Sequence, residues 1–328
     1  MTESPARHAG HCLIIANPAA GTVTGALIDE VVSTCARHVP SVQVMWTRYQ
    51  REATDLVRKG LAASAGAGVT VVIAVGGDGT ALEVTEGLTA ADVQRECAAL
   101  FVVPGGTGNS NYRAHWGTGP WHDSLEWALS DIAAATRMLD LARVVELDAL
   151  VLLGAGAGLS AEALLTAREI KLRGRARLQA AVERCARGFT PYPGRVTVDG
   201  TVCHQGKTVL VNVGGPRHRA WQYQVLPASV LDDGLLDVCV VGSEVDPVAT
   251  LGLLRDGQHV GEPGVVYVRG RRVVIERLDG QPLCFEHDGD VVTEARPAFT
   301  IDVIPGALPV LCAPLNKSAV RADIGGTE

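Results

Sequence analysis

The sequence predicts an α/β domain built on a parallel sheet, followed by a β-rich sandwich domain. Three observations carry this. As far as about Leu139, apolar strand-like runs alternate with helix-compatible runs, the pattern of a parallel sheet covered by helices. Three of those strands end in turns built from Gly, Asn or Pro, and in open α/β sheets ligands bind at the carboxyl ends of strands. Beyond Leu139 the rhythm changes to short apolar runs divided by Pro, Gly and Asp, which reads as antiparallel β.

In chain order, Cys12–Ala16 is a short buried strand ended by Asn17-Pro18-Ala19-Ala20-Gly21, and Thr24 caps a helix reaching about His38. Val42–Thr47 is a second strand, and Arg51–Ala63 a helix with Leu56, Val57 and Leu61 at helical spacing. Val69–Val75 is an unbroken β-branched run, as expected of a strand buried on both faces. Ala81–Leu88 begins the next helix, Ala98–Val103 is a fourth strand, and His122–Leu139 reads as one helix. In the second half, Val144–Leu153 is strand-like, and Ala161–Arg187 is helical with a break near Gly174. Short strands come next at 195–198, 207–213, 235–241, 265–268, 272–275 and 299–304, with one more helix from Asp246 to Arg255. The expected division is a tail over 1–10, an α/β domain over 11–140, a sandwich over 141–315 and a tail over 316–328.

Bulk composition narrows the function. With 328 residues, 47% of them hydrophobic, the chain can build two cores. A formal net charge of -7 argues against general nucleic-acid binding. The eight cysteines form no CxxC and sit mostly in apolar runs, as small buried hydrophobes do. No run reaches the roughly 18 apolar residues of a membrane span, and Met1–Gly10 lacks the apolar core of a secretion signal. The expectation is a reduced, cytoplasmic protein, with peripheral contact at the inner membrane surface and a homodimer left open.

The chemistry concentrates in Gly76-Gly77-Asp78-Gly79-Thr80, directly after the third strand. Glycine permits positive φ and close approach of a ligand to the backbone. Amide groups of such a turn, opening a helix, bind anions. Asp78 puts a carboxylate where a phosphate would go, which is unfavourable unless a cation bridges the two or the acid engages another group. A second glycine turn, Pro104-Gly105-Gly106-Thr107-Gly108-Asn109, ends the fourth strand. No GxxxxGK[ST] is present, so the P-loop route to phosphate binding is absent.

These three turns, with Glu83-Val84 after the second of them, resemble the diacylglycerol kinase catalytic-domain family, which comprises soluble bacterial diacylglycerol and other lipid kinases and is related to sphingosine kinases and, distantly, NAD kinases. Asp232-Asp233-Gly234-Leu235-Leu236-Asp237 and Asp288-Gly289-Asp290 extend the likeness, which runs from about His11 to Val310. The resemblance implies an NAD-kinase- or diacylglycerol-kinase-like α/β domain that binds ATP. It implies phosphoryl transfer to a hydroxyl of a lipid or lipid-like acceptor, diacylglycerol first, within phospholipid metabolism. Nucleotide contacts would come from Asn17, Thr47, Gly76, Gly77, Asp78, Gly79, Thr80, Glu83, Gly106, Thr107 and Asn109, with Asp78 acting through Mg²⁺ and water. In the soluble bacterial relatives the Asp232–Asp237 loop holds a structural Mg²⁺, and the matching positions are the carbonyls of Val230 and Leu235 and the carboxylate of Asp233. Asp290, standing where the family has Glu, is the first candidate for general base, and Asp288 the second.

Other readings stay open. Asp288-Gly289 is a strong hairpin signal, and Asp232–Leu235 is an ordinary turn. Leu82, Ser110 and Ala20 depart from the family's Asn, Asp and Ser, so a noncatalytic nucleotide-binding protein or a kinase of a small hydroxylated metabolite also fits. An NAD kinase is disfavoured by Leu82-Glu83 in place of Asn-Glu. Arg168 to Arg187 is basic and interleaved with Leu and Val, suiting either a solvated helix face or an anionic membrane surface. The small residues of Gly154–Ser160 predict room for an acceptor.

Overall fold

The computed structural model describes residues 9–64, 66, 68–90 and 97–314. It divides into two units, one running to Leu139 and including the chain from Gly306 onward, the other Asp140–Pro305. The sequence pattern alone places 306–315 with the second unit, whereas the described part of that stretch, 306–314, lies in the first. The expected tails, 1–10 and 316–328, lie almost wholly outside the described residues; Ala9 already begins the first strand.

In the first unit the order is β1 (Ala9–Ala16), α1 (Gly25–Ala36), β2 (Val42–Trp46), α2 (Glu52–Ala63), β3 (Val69–Gly76), α3 (Asp78–Ala90), β4 (Ala98–Pro104), α4 (Ser110–Trp116), α5 (Trp121–Ser130) and α6 (Ile132–Ala135), with β5 (Thr136–Val144) leading out of it. β1 pairs in parallel with β2 on one side and β3 on the other, and β3 pairs in parallel with β4. The chain therefore reverses its direction of travel between β1 and β3, which makes their carboxyl ends a topological switch point. The register puts Ala16 beside Val75 and Trp46, and Gly76 beside Pro104. Asn17, Thr47, Gly77 and Gly105 thus start from one rim, as the motif order implies.

Cys12–Ala16 and Val71–Val75 are essentially inaccessible to solvent, so the continuous apolar runs mark strands covered on both faces. α1 packs on α5, and α2 on α3. Thr24 caps α1 by accepting the Leu27 N–H at 3.2 Å. The expected single helix over His122–Leu139 is instead two helices and a strand. Asp131 leaves helical geometry at φ -147° and caps α6 through the Ala134 N–H, and Thr136 onward is β5.

The second unit continues with β6 (Ala149–Val151), β7 (Ala155–Gly158), α7 (Leu159–Glu169), α8 (Gly174–Gly188), β8 (Tyr192–Val198), β9 (Thr201–Val213), β10 (Leu236–Gly242), α9 (Pro247–Asp256), β11 (Val265–Gly270), β12 (Arg272–Arg277), β13 (Phe285–His287), β14 (Asp290–Val291) and β15 (Ala298–Leu311), the last running out of it. The pairings β13–β14, β13–β7, β7–β9, β9–β8, β8–β12, β12–β15, β9–β10 and β10–β11 are all antiparallel. The expected strand over Val144–Leu153 is broken: a 3-10 turn covers Val145–Leu147, Asp148 takes φ 50°, and β6 folds back on β5. The helix break near Gly174 holds, as does the last helix, whose N-terminus is capped by the Asp246 carboxylate on the Val248 and Ala249 amides. Phe285 and Phe299, both fully buried, stack at 4.2 Å in the core.

Candidate active site

In the first unit, three loops leave the sheet rim and tie to one another. Gly105 donates its N–H to the Gly76 carbonyl at 2.7 Å, and Thr22 donates to the Gly105 carbonyl at 3.2 Å. None of the six glycines in the two turns has positive φ, so their requirement is space and not the conformational freedom expected from sequence. A Cβ on Gly76 would lie 2.5 Å from Thr80 Oγ1, and one on Gly106 would strike the Gly77 backbone. Gly79 differs: it is exposed, and a Cβ there would meet nothing within 4 Å. It occupies the first turn of α3, where N–H groups have no intrahelical acceptor.

Asp78 resolves its unfavourable position through the protein itself. Its Oδ2 accepts the Ser110 N–H at 3.0 Å, and its Oδ1 accepts the Asn111 N–H and the Asn111 side-chain amide, both at 3.0 Å. The carboxylate caps α4, the favourable end of a helix for negative charge. Ser110 therefore contributes its backbone where relatives offer a carboxylate. Asn17 is likewise a brace. Its Nδ2 donates to Thr80 Oγ1 at 3.0 Å, while its Oδ1 accepts the Ala19 N–H at 2.9 Å. Asn109, in the left-handed region at φ 54°, accepts the Gly106 N–H at 2.9 Å and shapes the turn that exposes Thr107. Thr47 is on the rim but buried. Glu83 is directed elsewhere: its carboxylate accepts the Ala53 N–H at 3.2 Å, in the first turn of α2.

In the second unit, Asp288 and Gly289 have φ 51° and 86° and join β13 to β14 with His287 opposite Asp290. This is a two-residue hairpin of the mirror-image type that Asp-Gly favours. The Asp288 side chain is 4% exposed and accepts the Leu152 N–H at 3.1 Å and the Leu153 N–H at 2.5 Å. It anchors the hairpin. Asp290 is exposed, so the two candidate carboxylates separate into a buried brace and an exposed acid.

At Gly154 and Gly156 the space that small residues leave is taken by neighbouring side chains. A Cβ on Gly154 would strike Arg219, and one on Gly156 would lie 2.7 Å from Ser160 Oγ and 2.9 Å from Glu286 Oε1. The space is filled by the chain's own polar side chains. Neither Arg219 nor Glu286 stands out in the sequence. Glu286 precedes the motif by two positions, and a charged residue next to Cys284-Phe285 is the available signal.

The expected cation loop also differs. Asp233 Oδ1 accepts the Leu235 N–H at 3.0 Å, and its Oδ2 pairs with Arg269 Nη1 at 3.1 Å. The Arg269 guanidinium already supplies the positive charge beside Asp233. Asp233, paired with Arg269, is engaged by a cation of the chain itself where the expectation put Mg²⁺. The donor half does fit a cation brought by a nucleotide, which needs few protein oxygens: Asp78 accepts three hydrogen bonds on two oxygens with about four lone-pair positions, leaving one for a cation-bound water.

Comparison with known proteins agrees with this geometry. The diacylglycerol kinase catalytic domain matches residues 11–144, and the YegS C-terminal NAD kinase beta sandwich-like domain matches 154–312. Together they define a phosphotransferase of two parts, an α/β kinase domain and a β sandwich. A "probable lipid kinase YegS-like" of Pseudomonas fluorescens is 31% identical over 82% of this chain and 88% of its own. One from Pseudomonas aeruginosa PAO1 is 30% identical over 86% and 89%. The chain belongs to the YegS-like lipid kinase family. A solved diacylglycerol kinase of Bacillus anthracis str. Sterne shares the fold, with TM-score 0.67 and 21% identity over 93% of this chain and 97% of that one.

Proposed function

We propose that the protein transfers the γ-phosphoryl group of ATP, with Mg²⁺, to a hydroxyl of a lipid, with diacylglycerol the first acceptor to test. The observation that carries this is Gly79. Neither φ nor packing within the chain requires glycine there, so the requirement lies in what approaches the exposed start of α3. Amides of Gly77, Gly79 and Gly106 and the hydroxyl of Thr107 hold the donor phosphates; Asn17, Thr80 and Asp78 keep the turns in register. When bound, Mg²⁺ neutralises phosphate charge. Asp290 takes the proton of the acceptor hydroxyl as its oxygen bonds to the γ-phosphorus and the bond to the ADP oxygen breaks. The test is γ-labelled ATP and Mg²⁺ with mixed micelles of diacylglycerol, phosphatidylglycerol or a sphingoid base. Labelled lipid supports the reading; turnover only on small polyols, or binding of ATP without transfer to any hydroxyl, overturns it.

We further propose a peripheral membrane contact, which would suit a lipid acceptor. Around the α7–α8 connection, Arg168, Lys171, Arg173 and Arg177 are exposed, Leu172 is 52% exposed, Arg175 stacks on the Trp221 ring, and Glu169 is already paired with Arg184 at 3.1 Å. Cations flanking an exposed leucine match an anionic headgroup layer over hydrocarbon. No helix among the described residues is long and apolar enough to cross a membrane. Cosedimentation with phosphatidylglycerol vesicles is expected to be lost at high salt and in Arg173→Glu/Arg177→Glu; equal binding to neutral vesicles would refute the contact.

A further inference from the structure

The hairpin that presents Asp290 is held from two sides. Outside, Asp288 fastens it to the Leu152 and Leu153 amides, and the Asp288 N–H donates to the Gly154 carbonyl at 3.0 Å. Inside, Glu286 Oε2 accepts the Gly289 N–H at 3.1 Å. Gly289 directly precedes Asp290, so this bond acts one residue from the proposed base. Glu286 is only 6% exposed and reaches the turn because β7, its antiparallel partner, has no side chain at Gly156, the residue paired with it. Two small features therefore serve one carboxylate: a missing Cβ makes its space, and a turn amide receives its charge.

We propose that Glu286 is a positioning residue that sets the presentation of Asp290 through the Gly289 amide. The role deepens the kinase reading and rests on it for its kinetic consequence, though not for its structural one.

The groups facing Glu286 are Arg219, Asp288 and His287, with Cys284 two residues before it. Burial pushes Glu286 up to about 7, against the pull of Arg219 and the Gly289 N–H, while Asp288 adds to the rise and His287 opposes it. Arg219 is committed to backbone oxygen, donating to the Gly214 and Pro216 carbonyls, so it offers Glu286 attraction without a direct ion pair. Near neutrality the bond to Gly289 thus alternates between a charge-assisted form and a weaker neutral one. Ionised, Glu286 fixes the turn; protonated, it loosens it. Transfer is then expected to rise with pH through about 7.

Three variants test this on the full chain. Glu286→Ala removes the acceptor of the Gly289 N–H. Its kcat is expected to fall about tenfold, one transition-state decade, with KM for ATP unchanged and with faster amide exchange at 287–290. Glu286→Gln keeps an acceptor of the same shape but cannot ionise, so its kcat should match the low-pH plateau of the wild type, above that of Glu286→Ala, and the rise near pH 7 should disappear. Gly156→Ala should reproduce the alanine phenotype from the other strand, because its Cβ would meet Glu286 Oε1 at 2.9 Å. Wild-type kcat and wild-type amide exchange in Glu286→Ala overturn the proposal, as does a pH rise retained in Glu286→Gln. If the wild type phosphorylates no lipid, the kinase reading fails by itself, and the exchange comparison still decides the role of Glu286.

Discussion

Two Asp-Gly pairs lie at the centre of the two halves, and they use the same chemistry to different ends. Asp78 and Asp288 each spend a carboxylate on a pair of successive backbone amides, Ser110–Asn111 in one case and Leu152–Leu153 in the other. Neither acid is left free. The glycines after them behave differently. Gly79 continues into a helix without positive φ and offers bare amide. Gly289 turns the chain at φ 86° and delivers the exposed carboxylate of Asp290. The first arrangement suits an anion and the second suits a proton. An aspartate inside a glycine motif is thus better read as the clamp that fixes its neighbours than as the reacting group.

Four substitutions probe that contrast, from the largest effect to the smallest. Asp290→Asn removes the exposed acid and should cut kcat by about 10² to 10⁴, as loss of a general base does, with ATP affinity intact by equilibrium binding. Asp78→Ala uncaps α4 and orphans three donors. Thermal melts should show a loss of about 2–3 kcal/mol, and labelled-ATP assays should find transfer reduced, by less than in Asp290→Asn; full turnover would remove Asp78 from the site altogether. Asp288→Asn weakens the hairpin's outer anchor, so stability should drop by about 1–2 kcal/mol while a measurable fraction of kcat remains. If Asp288→Asn is the dead enzyme and Asp290→Asn the active one, the division into clamp and base is reversed. Gly79→Ala is the mildest. Alanine suits a helix better than glycine by about 1 kcal/mol and meets no atom of the chain, so Tm should hold or rise while KM for ATP increases. An unchanged KM would mean that nothing approaches that turn.

Much of this architecture is legible in the residues. The continuous β-branched run Val69–Val75, the Thr24 and Asp246 caps and the break at Gly174 are local signals, and the structure returns them. The glycine turns share a rim because the strands that carry them are parallel. The features that escape depend on partners distant in sequence. Glu83 faces α2 thirty residues upstream, and Asp233, in the loop before β10, pairs with Arg269 of β11. Gly154 and Gly156 look like empty space because a sequence shows missing side chains without naming their replacements; here Arg219 and Glu286 fill the gap. The helix over His122–Leu139 fails at Asp131, whose side chain serves a new N-terminus more readily than a helix interior.

The return of the chain at Gly306 carries a consequence for synthesis. Val310 pairs with Leu100 of β4, and the amides of Cys312 and Ala313 bond to the Ala135 and His115 carbonyls. The final contacts of the first unit are therefore made by residues that leave the ribosome about two hundred positions after β4. At roughly 5–20 residues per second, β4 waits on the order of ten to forty seconds for its partner, with a strand edge open to strangers in the meantime. A chain ended by a premature stop near Pro305 would keep every glycine turn and every carboxylate of the site, and would still have to be guarded by a chaperone or cleared.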